Sequence, residues 1–328
     1  QGNYGEMDVG KKAYPLFREN LEICGSLLHG YDYSGFENGG ELERATCITG
    51  AVNYLLDPTK VDDKDLYLKE SLGLHQALSL CSSLADKKER DIASFFESVR
   101  VLIMRLKNQG DDHKISLPEM NARINELLKQ SIKSDGVINL FSDVHTEFSL
   151  FDPKFLEEIS KMKEKNLAVE LLKKLIAEQI HIYKRTNVVK SEKFSEIIQE
   201  KLNMYLNGML TNEEVIQELL KLAKDIANAK KEGNDLGLNE DELAFYDALT
   251  KPEGIKQIYT DETLVQITKE LTETLRKNKT IDWQKREPAR AKMRMLIKKL
   301  LKNHRYPPDE QPEAIEAVMT QCELWADN

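Results

Sequence analysis

Along Asn166–Thr186 the apolar residues Leu167, Leu171, Leu172, Leu175, Ile176 and Ile182 recur with lysine and glutamate between them. That period of about 3.6 residues puts them on one face of an α-helix. Similar patterns predict helices over Ala13–Leu28, Glu41–Leu55, Leu66–Ser83, Lys88–Lys107, Pro118–Gln130 and Phe194–Met209. His29–Gly40 is aromatic and glycine-rich and predicts a loop. Asp135–Phe151 holds Gly136, Phe141, Phe148, Leu150 and Phe151 with few helix signals, and predicts an irregular or strand-like connector near 136–151.

Two helix starts carry the same local device. Thr211 can cap one helix, with Glu214 reaching back to its amide and Leu210 packing on Val215. Asn239, Glu242, Leu238 and Leu243 repeat the arrangement. These are capping boxes with hydrophobic staples, each cap contributing about 1 kcal/mol. Lys231–Gly237 between them predicts a polar linker. The pattern describes an all-α chain of helical, bundle-like modules, expected to divide into residues 1–152 and 153–328. No internal repeat or low-complexity tail interrupts it.

One further helix changes the picture. Pro288 suits a first helical turn, and Ala289, Met293, Leu296, Ile297 and Leu300 fall on one face, with Leu301 at its edge. Arg290, Arg294, Lys298 and Lys302 form an i, i+4 row beside that face, and Lys292 and Lys299 widen the polar arc. Tyr306-Pro307-Pro308 stops the helix. Between Lys285 and Arg305 the chain gathers nine lysines and arginines and one acid, Glu287. The helix dipole favours the cations in its last turn.

That cluster stands against an acidic background. The 328 residues carry a formal net charge of −9, which predicts no general affinity for polyanions. Glycine and proline are scarce, at 16 and 9 residues, and 41% of the chain is hydrophobic, enough for a substantial helical core. No run approaches the ~20 apolar residues of a membrane span. The chain opens on Gln1 and shows no signal-peptide pattern, so it is expected to be cut from a longer protein.

Candidate chemistry is thin. Gly5-Glu6-Met7-Asp8-Val9-Gly10-Lys11-Lys12 approaches a phosphate-binding loop, but Lys12 stands where a hydroxyl must bind Mg²⁺ and no strand precedes it. Cys24, Cys47, Cys81 and Cys322 lack metal-ligand spacing and are expected to be buried, reduced thiols. His29, His75, His113, His145, His181 and His304 are scattered, and acids such as Glu240-Asp241-Glu242 sit where they favour a helix start. No self-contained active site, metal site or cofactor site is expected.

The basic helix then admits three readings. It is a packed helix with a solvated face, a docking face for an acidic protein partner, or a contact for a nucleic-acid backbone. A membrane-surface helix fits least, since large aromatic anchors are missing from its apolar face. The residues expected to meet a partner or DNA are Trp283, Arg290, Arg294, Lys298, Lys302 and Arg305.

These residues resemble the C-terminal part of the R (restriction, or motor) subunit of type I restriction–modification enzymes. Ile281-Asp282-Trp283, Ala291-Lys292-Met293-Arg294, Ile297-Lys298-Lys299-Leu300-Leu301 and Tyr306-Pro307-Pro308-Asp309 match its closing signature. Gln321-Cys322-Glu323 is similar to its final step, with Cys322 at a usual alanine. Leu28–Ser34, Asn166–Leu172, Tyr205–Asn207, Leu210–Ile216 and Leu236–Leu249 are similar as well. The resemblance spans nearly the whole chain and is most specific from about 166 to 325. It implies a parent with a nuclease domain and two RecA-like motor domains, using ATP and Mg²⁺ to translocate and cut double-stranded DNA in the cytoplasm. It carries no catalytic residue onto this chain. The role it implies here is assembly: holding the motor subunit to a methyltransferase core of methylation and specificity subunits.

Overall fold

A computed structural model describes residues 3–107, 153–280 and 283–327. The expected helix at Pro118–Gln130 and the connector near 136–151 lie outside the described residues. Everything described is helix, turn or coil, with no strand among the described residues, so the chain is all-α. It forms two compact units, Gln1–Lys174 with Tyr205–Leu220, and Leu175–Met204 with Lys221–Asn328.

The first unit begins with α1 (Asn3–Leu27), α2 (Ser34–Asn38), α3 (Glu41–Leu55), α4 (Val61–Cys81) and α5 (Lys87–Lys107). Helix α1 starts ten residues before the apolar pattern of Ala13–Leu28 does, and so absorbs the glycine–lysine run at Gly5–Lys12 into regular helix. Gly10 there faces Leu80 and Leu84, while Gly73 faces Asn20, so α1 and α4 pack antiparallel at glycine-permitted distance. The predicted loop His29–Gly40 contains one helical stretch, α2, and is pinned by its aromatic residues. Tyr31 donates to the Cys47 carbonyl at 2.9 Å, Tyr54 to the His29 carbonyl at 2.7 Å, and Tyr33 stacks on Phe95 at 4.8 Å. Gly50 leaves room for this bond, because a Cβ there would lie 2.2 Å from the Tyr31 hydroxyl and the ring would have to move.

Helix α6 (Pro153–Lys161) precedes α7 (Lys165–Thr186), whose N-terminus belongs to this unit. Asn53 of α3 accepts from the backbone N–H groups of Asn166 and Leu167, at 2.8 and 3.3 Å. That satisfies two of the donors any helix start leaves open. Asn212, at the start of α9 (Asn212–Leu236), donates to Asn166 at 2.7 Å and accepts from Tyr205 at 2.9 Å. The Thr211 box closes as expected: the Thr211 N–H donates to Glu214 at 2.8 Å, and the Glu214 N–H donates back to the Thr211 hydroxyl.

The second unit takes the remainder of α7 and α9, most of α8 (Val188–Leu206), and then α10 (Glu240–Leu249), α11 (Ile255–Ile258), α12 (Asp261–Asn278), α13 (Glu287–Asn303) and α14 (Gln311–Asp327). Its core joins Phe245, Tyr246, Leu249, Leu271, Ile297, Tyr306, Val318 and Cys322. The Asn239 box forms, and its staple residues Leu238 and Leu243 are both buried. The polar run Lys231–Gly237 is not a linker. Helix α9 continues through it to Leu236, and within it Gly233 lets Leu243 and the Leu238 carbonyl approach within about 3.2 Å of where a Cβ would stand. Gly237, at φ +65°, then ends the helix; the Leu238 N–H returns to the Gly233 carbonyl at 2.8 Å.

A buried polar group sits inside this unit. Lys190 donates to the Ala229 carbonyl at 2.9 Å and lies 3.3 Å from Asp247. Asn187 donates to Asp247 at 2.6 Å and accepts from the Lys190 N–H, capping α8. Burial raises the Asp247 carboxyl above the ordinary range, and Lys190 pulls the other way. Removing the cation from such a pair strands a buried charge. Lys190→Met is therefore expected to lower unfolding free energy by about 3–5 kcal/mol, and adding Asp247→Asn to recover much of it. A carboxyl raised in the folded state holds its proton more tightly there than in the unfolded chain. The Lys190→Met variant should thus lose stability as pH rises above the usual carboxylate value. Urea denaturation from pH 4 to pH 8 reads both effects; a flat profile would show that Lys190 does not support Asp247.

Candidate interaction face

Helix α13 is built as its sequence suggests. Arg286 occupies the N-cap without a side-chain cap bond, and Pro288 lies in the first turn, where no N–H is needed. Met293, Ile297, Leu300 and Leu301 are buried, and Ala289 and Leu296 pack partly buried against the same core. Leu301, expected at the edge, is fully inside. The helix packs against α12 and α14.

Its C-terminus is closed by an unusual residue. Arg305 stands at φ +56°, among the described residues the one non-glycine with positive φ. The Arg305 N–H donates to the Lys302 carbonyl at 3.0 Å, and the Tyr306 N–H donates to the Leu301 carbonyl at 2.9 Å. This is the same closure that Gly237 makes at the end of α9, with arginine in the left-handed position that favours glycine. Tyr306 fixes the exit: its ring is buried and its hydroxyl donates to the Leu249 carbonyl at 2.6 Å. His304 pairs with Glu270 at 2.8 Å.

The six residues expected to form one surface divide into three groups. Trp283 is 1% exposed and lies in the core, in a 3-10 turn before α13, with its indole N–H unpartnered. Its bulk serves packing, so it cannot anchor a partner. Arg290 is one-third exposed and reaches Glu323 on α14 at 2.5 Å, Glu287 at 3.9 Å and the Gln284 carbonyl at 3.3 Å. Arg294, half exposed, meets Glu316 on α14 at 3.4 Å. These two pairs run in opposite chain order, as antiparallel helices require. Lys298, Lys302 and Arg305 are exposed and, among the described residues, make no ion pair; the same holds for Lys292 and Lys299. Half of the positive row is thus spent on α14, and half faces outward.

Sequence reasoning missed Gln321. It is 4% exposed on α14, donates to the Thr186 carbonyl at 2.9 Å and accepts from the Val188 N–H at 3.0 Å. One amide thereby serves the end of α7 and the start of α8. Its only sequence signal was the resemblance at Gln321-Cys322-Glu323.

Other chemistry does not assemble among the described residues. No group of histidine, cysteine, aspartate or glutamate there could hold a metal ion. All four cysteines are buried and unpaired, and burial pushes the Cys24 and Cys322 thiols up to about 12. His113 and His145 lie outside the described residues. No described helix is long and apolar enough to cross a membrane. A shallow cleft of about 370 Å³ beside α14, lined by Lys184, Ser191, Glu192, Thr320 and Glu323, is open to solvent and gathers no reactive constellation.

The class these features define is an all-α module in which one helix carries a row of exposed cations. The family described as type I restriction enzyme HindI endonuclease subunit-like, C-terminal, matches residues 2–328, and the chain belongs to that family. It is 34% identical over 270 residues to the "Type I restriction enzyme HindI endonuclease subunit" of Haemophilus influenzae, covering 81% of this chain and 25% of that protein. It is 31% identical over 217 residues to the "Putative type I restriction enzyme MjaIXP endonuclease subunit" of Methanocaldococcus jannaschii, covering 65% and 20% respectively. The chain therefore spans about a quarter or less of these relatives. No solved structure gives a significant match.

Two stability measurements check the division of charge. Arg290→Glu puts a carboxylate against Glu323 and is expected to destabilise the unit by about 1 kcal/mol, while Lys298→Glu should stay within about 0.5 kcal/mol of the parent. Equal effects would dissolve the distinction. Arg305→Gly relieves the left-handed residue and should stabilise by about 0.5–1 kcal/mol, less the backbone entropy glycine adds to the unfolded chain. A clear loss of stability would mean that the arginine side chain is held from within.

Proposed function

We propose that this chain is the C-terminal assembly module of a type I restriction enzyme endonuclease (R) subunit, and that it docks the motor part of that subunit to the methylation and specificity subunits. The observation that carries this reading is the split of the basic helix. Arg290 and Arg294 are neutralised by α14, whereas Lys298, Lys302 and Arg305 remain exposed and unpaired among the described residues, on an otherwise acidic protein. Unpaired like charges held together on one rigid helix cost self-repulsion, and an oppositely charged partner removes that cost. The family match and the names of the relatives supply the setting, a multi-subunit restriction complex. In this reading ATP and Mg²⁺ act elsewhere in the parent subunit, which works on DNA in the cytoplasm, and this module contributes position rather than chemistry.

A second reading is favoured by the same spacing. Lys298 and Lys302 stand one helical turn apart and Arg305 follows them, which suits contact with successive phosphates of a translocated duplex.

One triple variant tests both. Lys298→Glu/Lys302→Glu/Arg305→Glu in the full endonuclease subunit is expected to abolish co-purification with the methylation and specificity subunits while folding is retained. Assembly that survives unchanged defeats the docking reading. If assembly survives while duplex affinity falls, and the slope of log affinity on log salt flattens by up to about 2.7 for three lost phosphate contacts, the second reading replaces it.

A further inference from the structure

Met295 lies on the outer side of α13 and is 63% exposed, the most exposed large apolar side chain among the described residues. Helical spacing sets Lys292 and Lys298 three residues to either side of it, Lys299 four residues on and Lys302 seven on. Residues three and four apart are neighbours on a helix surface, and a residue seven on lies two turns along the same stripe. All four lysines are exposed, and none makes an ion pair among the described residues. A thioether in water is thus ringed by unneutralised ammonium groups whose aliphatic stems extend the apolar spot.

We propose that this face receives an acidic amphipathic helix of a partner protein, whose apolar side chain seats on Met295 while carboxylates a turn to either side meet Lys292, Lys298, Lys299 and Lys302. The inference rests on the docking reading above and adds the chemistry of the partner. An apolar centre with a charged rim is the anatomy of a protein–protein contact. A phosphate backbone uses the cations and has no use for the methionine. The flexible, polarisable side chain of methionine fits an apolar contact of imprecise shape. Charge selects the partner's sign, because no acid among the described residues pairs with these lysines.

The test separates the apolar centre from its rim. Met295→Ser leaves every charge in place on an exposed site, so folding should be unaffected. In the full endonuclease subunit it is expected to weaken binding to the methylation–specificity complex about tenfold or more, with the salt dependence unchanged. Lys292→Glu/Lys299→Glu should weaken binding and flatten the salt dependence, and Met295→Leu should bind like the parent. The same variants are titrated with nonspecific duplex DNA and with vesicles containing phosphatidylserine. If Met295→Ser binds the protein complex like the parent while the triple reversal at Lys298, Lys302 and Arg305 fails, docking stands and the acidic-helix inference falls. If neither change matters, both fall. If Met295→Ser loses vesicle binding but keeps protein binding, the face belongs to a membrane surface and this inference is overturned.

Discussion

The second unit depends on what its last helix supplies to the others. Gln321 gives one amide to the carbonyl that ends α7 and the N–H that opens α8. Both are groups a helix terminus leaves unsatisfied, and leaving either buried without a partner costs about 1–3 kcal/mol. The same helix sends Glu316 and Glu323 to Arg294 and Arg290. Near its end Trp325 packs edge-on against Phe245, donates to Asp241, and lies beneath the Lys279 ammonium at 4.5 Å. Helix α14 therefore fixes α7, α8, α10 and α13 through polar geometry as well as apolar area. Apolar area alone would tolerate sliding; directional bonds to helix ends do not.

That arrangement decides what the basic helix has left to offer. Arginine at 290 and 294 faces carboxylates on α14, and both pairs are partly exposed, so each contributes modestly. Their larger effect is orientation. With one flank of α13 held by α14 and its underside held by Met293, Ile297, Leu300 and Leu301, the remaining cations share one outward direction. A helix free to roll would blur that face.

The parts legible in the sequence are the local ones. Helix α3 runs from Glu41 to Leu55, both ends as its apolar pattern predicts, and the boxes at Thr211 and Asn239 close with the bonds their residues promise. A cap is decided within four residues, so a short window contains its cause. Gly233 was misread as part of a linker because its reason lies elsewhere: Leu243 needs its missing Cβ. Gln321 was unreadable for the same reason, since its partners lie more than 130 residues away. On the candidate face, the cationic row itself was visible. Which cations were already taken was not, because Glu316 and Glu323 belong to another helix. Trp283 misled for a related cause. Beside a basic helix an indole reads as an anchor, yet a 3-10 turn directs it into the core.

Arg305 sharpens the contrast. The two helix closures at Gly237 and Arg305 use the same hydrogen bonds, and glycine is the residue that adopts the left-handed position without steric cost. Arginine there costs of order 1 kcal/mol, and among the described residues no acid pairs with it to offset that cost. The helix dipole favours a cation at that end, but Lys302 already provides one within the last turn. Local stability thus accounts for glycine at this position better than for arginine. What arginine adds is reach: it carries the outward positive row past the end of the helix, where a backbone turn would otherwise present no side chain at all.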